Sequence, residues 1–365
     1  MNDKLHWMIY GANGYTGRLI AEEAVRQGLK PILGGRNQLQ VQALASERAL
    51  DYRIFDLNDG AATQHALQDV RVVAHCAGPF AATSAAMIEA CLVSGCHYLD
   101  ITGEVSVFVA AHARHSDAQA AGVVLCPGAG FDVIPTDCVA ATLKLALPDA
   151  THLALGFDMF ASMSPGTAKT TIESLGNGGL IRENGQLRNT AVAADARDID
   201  FGRGVRHAAS IPWGDVATAY FSTAIPNIVV YMAMPKTQAL VMRWLLNPLR
   251  SLLGSSKVQD WLKAQVDRRI HGPNEQQRPL YRAWVWGEVR NAAGKTVRAR
   301  LETANGYDVT VHGVLLTLRH LLDYQGEGGY FTPSRLLGPR CIEQLPDSGR
   351  IVLSEGSGRL ISGFP

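Results

Sequence analysis

Three glycines spaced three apart, Gly11, Gly14 and Gly17, follow a short apolar run, Leu5 to Tyr10. They lead straight into an amphipathic pattern carried by Leu19, Ile20, Ala24 and Val25. A strand that stops at a glycine and turns at once into a helix gathers backbone N–H groups and a positive helix end at one point, which suits a pyrophosphate. Glycine permits the tight turn and the close approach of a ligand to the backbone, where any Cβ would intrude. The spacing is G-x-x-G-x-x-G rather than G-x-G-x-x-G, so its weight comes from the strand before it and the helix after it. The turn residues expected to line a dinucleotide are Gly11, Asn13, Gly14, Tyr15, Thr16 and Gly17.

Which dinucleotide is decided one strand later. An NAD site places an acidic residue about 20 residues beyond the glycines, accepting from the ribose hydroxyls. Here that neighbourhood reads Gly34, Gly35, Arg36, Asn37, without a carboxylate. Arg36 suits charge-assisted bonds to a 2′-phosphate, so the expected cofactor is NADP(H). Asp56, at the next strand end, is expected beside the adenine. The small residues Cys76, Ala77, Gly78 and Pro79 are expected under the nicotinamide half, and Asp100 at a further strand end, against cofactor ribose or substrate.

Hydride transfer also needs a group to take up charge or deliver a proton. The candidates are Tyr98, Glu104 and Lys169, with Arg182 joining Lys169 for an anionic substrate. Each has a plainer reading. Tyr98 lies inside a strand, where buried structural phenols are commoner; Glu104 suits the first turn of the helix after it; Lys169 reads equally as a solvated lysine. No metal site is expected. Cys91, Cys96 and His97 are split between a helix and a strand, and His112 and His115 sit on one helix face at i,i+3.

These residues must be positioned by a scaffold, and from 5 to 145 the pattern is strand then helix, repeated. Short apolar runs end at Gly11, Gly35, Asp56, His75, Asp100 and Pro127, with helical patterns between them. That alternation predicts a parallel sheet wound on both faces, with ligands beyond the carboxyl ends of its strands. Thr83 or Ser84 is expected to cap the helix that ends at Gly95. From 148 the pattern changes: THLALGFDMF alternates, IPWGDVATAYF and IPNIVVYMAM read as strands, and AWVWGEVRNAAGKTVRARLET reads as a hairpin. A helix is expected to open near Gly166 and close around 178. The expectation is an α/β Rossmann-type domain over 1–147, completed by 309–365, and an α+β domain over 148–308 on a mostly antiparallel sheet.

The second domain carries a helical insert, 236–270, that mixes Leu and Trp with regularly spaced Lys and Arg. Such a segment suits a membrane surface or a lipid-bearing carrier protein, or simply covers its own core or a homodimer interface. Over 365 residues the hydrophobic share is 47%, the charged share 18% and the net charge +1, ordinary for a two-domain enzyme and without the basic excess of a nucleic-acid binder. Six cysteines without a C-x-x-C pair fit a reducing compartment. With no apolar run long enough for a membrane span, and a first strand that begins within a few residues of Met1, the expected location is cytoplasmic.

Taken together, the motifs GANGYTG, GGRN, HCAGPF, HYLDITGE, GFDVIPTD, SPGTAKT, IPWGDVATAY, VWGEVR and GYFTPS resemble the saccharopine dehydrogenase-like oxidoreductases, in particular their trans-acting enoyl reductase branch. The resemblance implies a Rossmann domain with NADP(H) and a separate domain that shapes the substrate site. It also implies reduction of a carbon–carbon double bond on a lipid or polyketide-type substrate. Two alternatives stand beside it: an NADP-dependent dehydrogenase acting on a C–N bond of an amino acid or polyamine, and a non-catalytic NADP-sensing or lipid-associated binding protein.

Overall fold

The structure, a computed structural model, describes residues 6–159, 178–269 and 280–361, together with Gly166, Ala168, Lys169, Ile172 and Gly176. The chain forms two compact units. The first comprises Met1–Phe131 and Tyr307–Leu337, the second Asp132–Gly306 and Gly338–Pro365.

In the first unit strands and helices alternate: β1 (His6–Tyr10), α1 (Tyr15–Arg26), β2 (Ile32–Gly35), α2 (Gln38–Arg48), β3 (Tyr52–Ile54), α3 (Gly60–Ala66), β4 (Val70–His75), α4 (Phe80–Ser94), β5 (His97–Asp100), α5 (Val105–Ala113), α6 (His115–Ala121) and β6 (Val124–Cys126). All neighbouring strands pair in parallel. Their order is β3-β2-β1-β4-β5-β6, extended beyond β6 by the short strand Gly329–Tyr330. The sheet reverses its winding between β1 and β4, which places a ligand crevice at the carboxyl ends of those two strands. The strands read as apolar runs rather than alternations because both faces are covered; Met8, Ile9, Val72, Val73, Ala74 and Leu99 are fully buried.

One face is covered from far along the chain. Val311, Val314, Leu315, Leu318 and Leu321 of the helix Gly306–Leu322 share a core with Ile20, Ala21 and Ala24 of α1 and Ile9 of β1. After Leu337 the chain leaves this unit. Its last strand, Val352–Glu355, pairs antiparallel with Thr296–Ala304 in the second sheet.

The second unit opens with α7 (Ile134–Ala146), so the chain changes unit at Asp132 and not at 148 as the pattern suggests. Its strands are β7 (Ala150–Met159), β8 (Gly179–Glu183), β9 (Gln186–Thr190), β10 (Ala196–Asp200), β11 (Val205–Ser210), β12 (Asn227–Ala233), β13 (Arg282–Asn291), β14 (Thr296–Ala304) and, after β15 (Gly329–Tyr330, in the first unit), β16 (Val352–Glu355). The sheet runs β10-β11-β12-β7-β13-β14-β16, with β8 and β9 branching from β12, and its one parallel pair among the described residues is β12 with β7. β13 and β14 form the hairpin that the sequence shows.

α7 packs against this sheet so closely that a Cβ on Gly287 would lie 2.6 Å from a Val139 methyl. IPWGDVATAYF is a helix, α8 (Asp215–Thr223), not a strand. Its Val, Thr, Tyr and Phe favour strands intrinsically, but Val216, Ala217 and Ala219 are buried and tertiary packing overrides that preference. Most of the expected helix near Gly166 lies outside the described residues.

Candidate functional site

The glycine turn is built by close approach of backbone to backbone. Gly11 has φ +83°. The N–H groups of Gly11 and Ala12 donate to the Gly34 carbonyl at 2.9 and 3.2 Å, and Cys76 N–H donates to the Tyr10 carbonyl at 2.7 Å. These bonds tie the end of β1 to both neighbouring strands. A Cβ on Gly11 would stand 2.7 Å from the Ala77 nitrogen, and one on Gly17 would strike the Gly11 carbonyl and lie 2.9 Å from the Ala12 Cα. Neither position admits a side chain. Gly14 is the N-cap of α1 and brings no side-chain capping hydrogen bond to the start of that helix. Tyr15 meets the Tyr307 ring edge-on at 5.0 Å, a neighbour almost the whole chain away that no local pattern announces.

Around the turn, Asn13 donates through Nδ2 to Gln40 Oε1 at 2.8 Å, and Arg18 Nε donates to the Asn13 carbonyl. Thr16 is half-buried in the first turn of α1. Arg36 follows β2 with its side chain 70% exposed, and its Nη1 is 3.9 Å from Asp56 Oδ2. Asp56 Oδ1 in turn accepts from Asn58 N–H. Asn37 serves the fold, since its Oδ1 accepts from Gln40 N–H and caps α2. Arg36 therefore stands as an accessible cation where the sequence places a 2′-phosphate ligand.

Beyond β4 the chain runs through Cys76, Ala77, Gly78 and Pro79, the last two joined by a cis peptide bond, into α4. α4 begins at Phe80, ahead of both expected caps, and its N-cap Pro79 offers no side-chain hydrogen bond. The capping group comes from another segment. Glu104 accepts from Phe80 N–H at 2.9 Å and from Ala81 N–H at 2.8 Å, placing a carboxylate on the positive end of α4 rather than on its own helix. Thr83, inside α4, has its hydroxyl 2.9 Å from His75 Nε2 and 2.8 Å from the Ala77 carbonyl. His75 is wholly buried beside the Tyr10 and Phe80 rings, and burial lowers its pKa to about 3, so the ring is neutral.

Tyr98 and Asp100, expected at the catalytic and cofactor positions, are both fully buried. The Tyr98 hydroxyl donates to Asp100 Oδ2 at 2.5 Å, and Asp100 Oδ1 accepts from Thr102 N–H at 3.0 Å and Gly128 N–H at 2.8 Å. Burial raises the Asp100 carboxyl to about 6 against the pull of these donors, and raises the Tyr98 phenol well above its ordinary range. The pair holds together the loops after β5 and β6. Lys169 is helical and half-buried, and belongs to the second unit. Arg182 is buried there as well. Its Nε donates to the Val216 carbonyl, its Nη1 to the Gly185 carbonyl, and its guanidinium lies 4.0 Å above the Tyr220 ring.

Two motifs of the second unit meet each other. Trp213 Nε1 donates to the Asp132 carbonyl at 3.0 Å, Thr136 Oγ1 donates to Asp215 Oδ1 at 2.8 Å, and Ser222 donates to Asp137 Oδ1. GFDVIPTD and IPWGDVATAY thus lock α7 to α8. Burial pushes the Asp132 carboxyl up to about 6 and the Asp215 carboxyl well above the usual range. Among the described residues no cluster of His, Cys, Asp and Glu could hold a metal ion, and no helix is long and apolar enough to cross a membrane.

A parallel sheet in this order, with an unhindered glycine turn at the point where its winding reverses, is a dinucleotide-binding domain of the Rossmann type. Comparison with known proteins narrows the class. Residues 7–126 match the family described as the saccharopine dehydrogenase NADP binding domain, so the first unit carries an NADP(H)-binding domain of that type. The chain is 26% identical over 152 residues to the mouse saccharopine dehydrogenase-like oxidoreductase, a match taking in 36% of this chain and 35% of that protein. It is 29% identical over 138 residues to the trans-acting enoyl reductase of Mycobacterium leprae, over 36% of this chain and 33% of that one. The chain thus spans about a third of the length of the curated relatives it matches. Saccharopine dehydrogenase (L-Glu forming) from Saccharomyces cerevisiae has the same fold, with a TM-score of 0.63 at 12% identity, covering 96% of this chain and 99% of that one.

Proposed function

We propose that this protein is an NADP(H)-dependent oxidoreductase that reduces a carbon–carbon double bond on a lipid or polyketide-type substrate in the cytoplasm. The observation that carries the cofactor half is the turn itself: Gly11 and Gly17 have no room for a Cβ, and the cation at the end of β2 is Arg36. Those residues fit a dinucleotide diphosphate on the Gly11–Gly17 backbone and a 2′-phosphate on Arg36. When bound, the reduced cofactor supplies a hydride. The enoyl half rests on the name of the mycobacterial relative. Of the residues expected to deliver a proton, Tyr98 is engaged by Asp100 and Glu104 by the start of α4.

Thermal-shift titration separates the cofactors, because a ligand that binds only the folded state raises the unfolding midpoint with its concentration. NADPH is expected to stabilise the wild type well beyond NADH. Arg36→Ala removes a charged hydrogen-bond donor worth about 1.5–3 kcal/mol, a ~10–150-fold loss of NADPH affinity, and should leave NADH unchanged. Equal stabilisation by both cofactors would refute the role of Arg36. Consumption of NADPH with an enoyl thioester, and none with amino-acid imines, is the expected activity; the reverse would move the chemistry to a C–N bond. Tight NADPH binding without turnover on either would make the protein a sensor.

A further inference from the structure

The insert of the second unit is amphipathic in the wrong sense for a segment that merely covers a core. From Lys236 to Leu253 the backbone is helical over most of its length, as the helix Lys236–Val241, a π-helical turn Met242–Leu246 and the helix Arg250–Leu253. Its inward side is small and polar. Ala239 is buried, and Asn247 clamps the segment to the body, accepting from Val192 N–H at 2.9 Å and donating to the Val192 carbonyl at 3.2 Å. Its outward side is apolar: Val241, Trp244, Leu245, Leu249 and Leu252 recur at helical spacing and are all exposed, Trp244 by 71%. Trp261, 62% exposed, adds a second indole from the helix Ser256–Arg269.

The same segment carries a basic series. Lys236, Arg243, Arg250 and Lys257 recur every seventh residue and all four are exposed. Residues 236–269 hold seven Lys and Arg against Asp260 and Asp267, a net charge of +5, whereas the whole chain is at +1. The rest of the chain is therefore net −4, and the positive excess lies wholly in this segment.

We propose that this face docks on an anionic lipid surface, with Trp244, Leu245 and Trp261 entering the headgroup region and Arg243, Arg250 and Lys257 meeting lipid phosphates. Exposed Leu and Trp together with exposed Lys and Arg are what an in-plane amphipathic helix needs, and each basic side chain near an anionic leaflet adds to the attraction. The same charge argues against a second copy of the chain as occupant. A two-fold interface lays a patch on itself, which would set +5 against +5. The proposal stands apart from the reductase reading, since it uses none of the cofactor residues.

Flotation of the full-length protein with vesicles tests it. Strong binding is expected to phosphatidylcholine vesicles containing phosphatidylglycerol, with little to phosphatidylcholine alone, and added salt should weaken it. Arg243→Gln with Lys257→Gln should lower the affinity about 25-fold, at about fivefold per charge. Trp244→Ser with Leu245→Ser should abolish flotation without moving the unfolding midpoint, because both side chains are already in water. Brominated lipid should quench wild-type tryptophan fluorescence and quench Trp244→Phe less. Absence of binding, or equal binding to both vesicle types, overturns the proposal. So does a dimer that the Trp244→Ser, Leu245→Ser variant dissociates, which would assign the face to a second copy.

Discussion

Replacing Asp100 separates two roles for that carboxylate, and the structure fixes the size of each. Asp100→Ala strips the acceptor from two buried backbone donors, Thr102 N–H and Gly128 N–H, and from the Tyr98 hydroxyl. Leaving a buried donor unpaired costs about 1–3 kcal/mol, so the two amides alone predict a loss of about 2–6 kcal/mol at low pH, where the wild-type carboxyl is neutral. Asp100→Asn behaves differently. Its amide oxygen keeps both N–H bonds, and its NH2 can donate to the Tyr98 oxygen in reversed polarity.

What the Asn variant removes is a titration. The folded carboxyl is raised by burial from 3.8 to about 6. Between those values the folded state binds more protons than the unfolded one, so this group makes the protein less stable as pH rises through the window. Two pKa units correspond to about 3 kcal/mol. Asp100→Asn should therefore match the wild type near pH 4 and exceed its stability by up to about 3 kcal/mol above pH 7. Urea unfolding of the three proteins across that range, with constant m-values, is the measurement. The raised carboxyls of Asp132 and Asp215 are common to all three and cancel in the differences. An Asn variant that loses ground to the wild type as pH rises would refute the reasoning, because the hydrogen bonds would then outweigh the burial of the charge.

Two further substitutions probe the cofactor half of the first unit. Gly17→Ala forces a methyl against the Gly11 carbonyl and Ala12 Cα, so α1 must retreat from the turn; the cost should be about 1–3 kcal/mol. NADPH affinity, read by titration calorimetry, should fall at least tenfold, and unchanged affinity would remove the turn from the site (~1.4 kcal/mol per tenfold). Glu104→Ala should destabilise by about 1–2 kcal/mol through the loss of the α4 cap, and Glu104→Gln by less. In both Glu104 variants turnover per folded molecule should persist; its collapse in the Gln variant with stability intact would make Glu104 a proton donor instead.

How much was legible in the chain follows the range of each interaction. The strand–glycine–helix opening, the sequence of strand ends at Gly11, Gly35, Asp56, His75 and Asp100, and the β13–β14 hairpin rest on neighbours within a few residues. Periodicity and turn chemistry report such contacts directly. Arg36 was readable for the same reason, since the order of a wound sheet puts the end of β2 beside the end of β1.

Roles that depend on a partner from elsewhere in the chain were not readable. Glu104 looked like the start of its own helix and serves α4; Asp100 looked available to cofactor or substrate and accepts from Gly128 N–H, 28 residues further on. IPWGDVATAYF carries strand-favouring residues and becomes a helix because Asp215 is held by Thr136 and its apolar side is buried against α7. The sequence by itself determined the parallel sheet, the unhindered turn and the cation one strand away, because glycine sterics and alternating patterns are local. Only the tertiary structure decided which carboxylates and phenols are committed to holding loops and which way the basic insert turns its tryptophans, because burial is settled by everything that packs around a side chain and not by its neighbours in the chain.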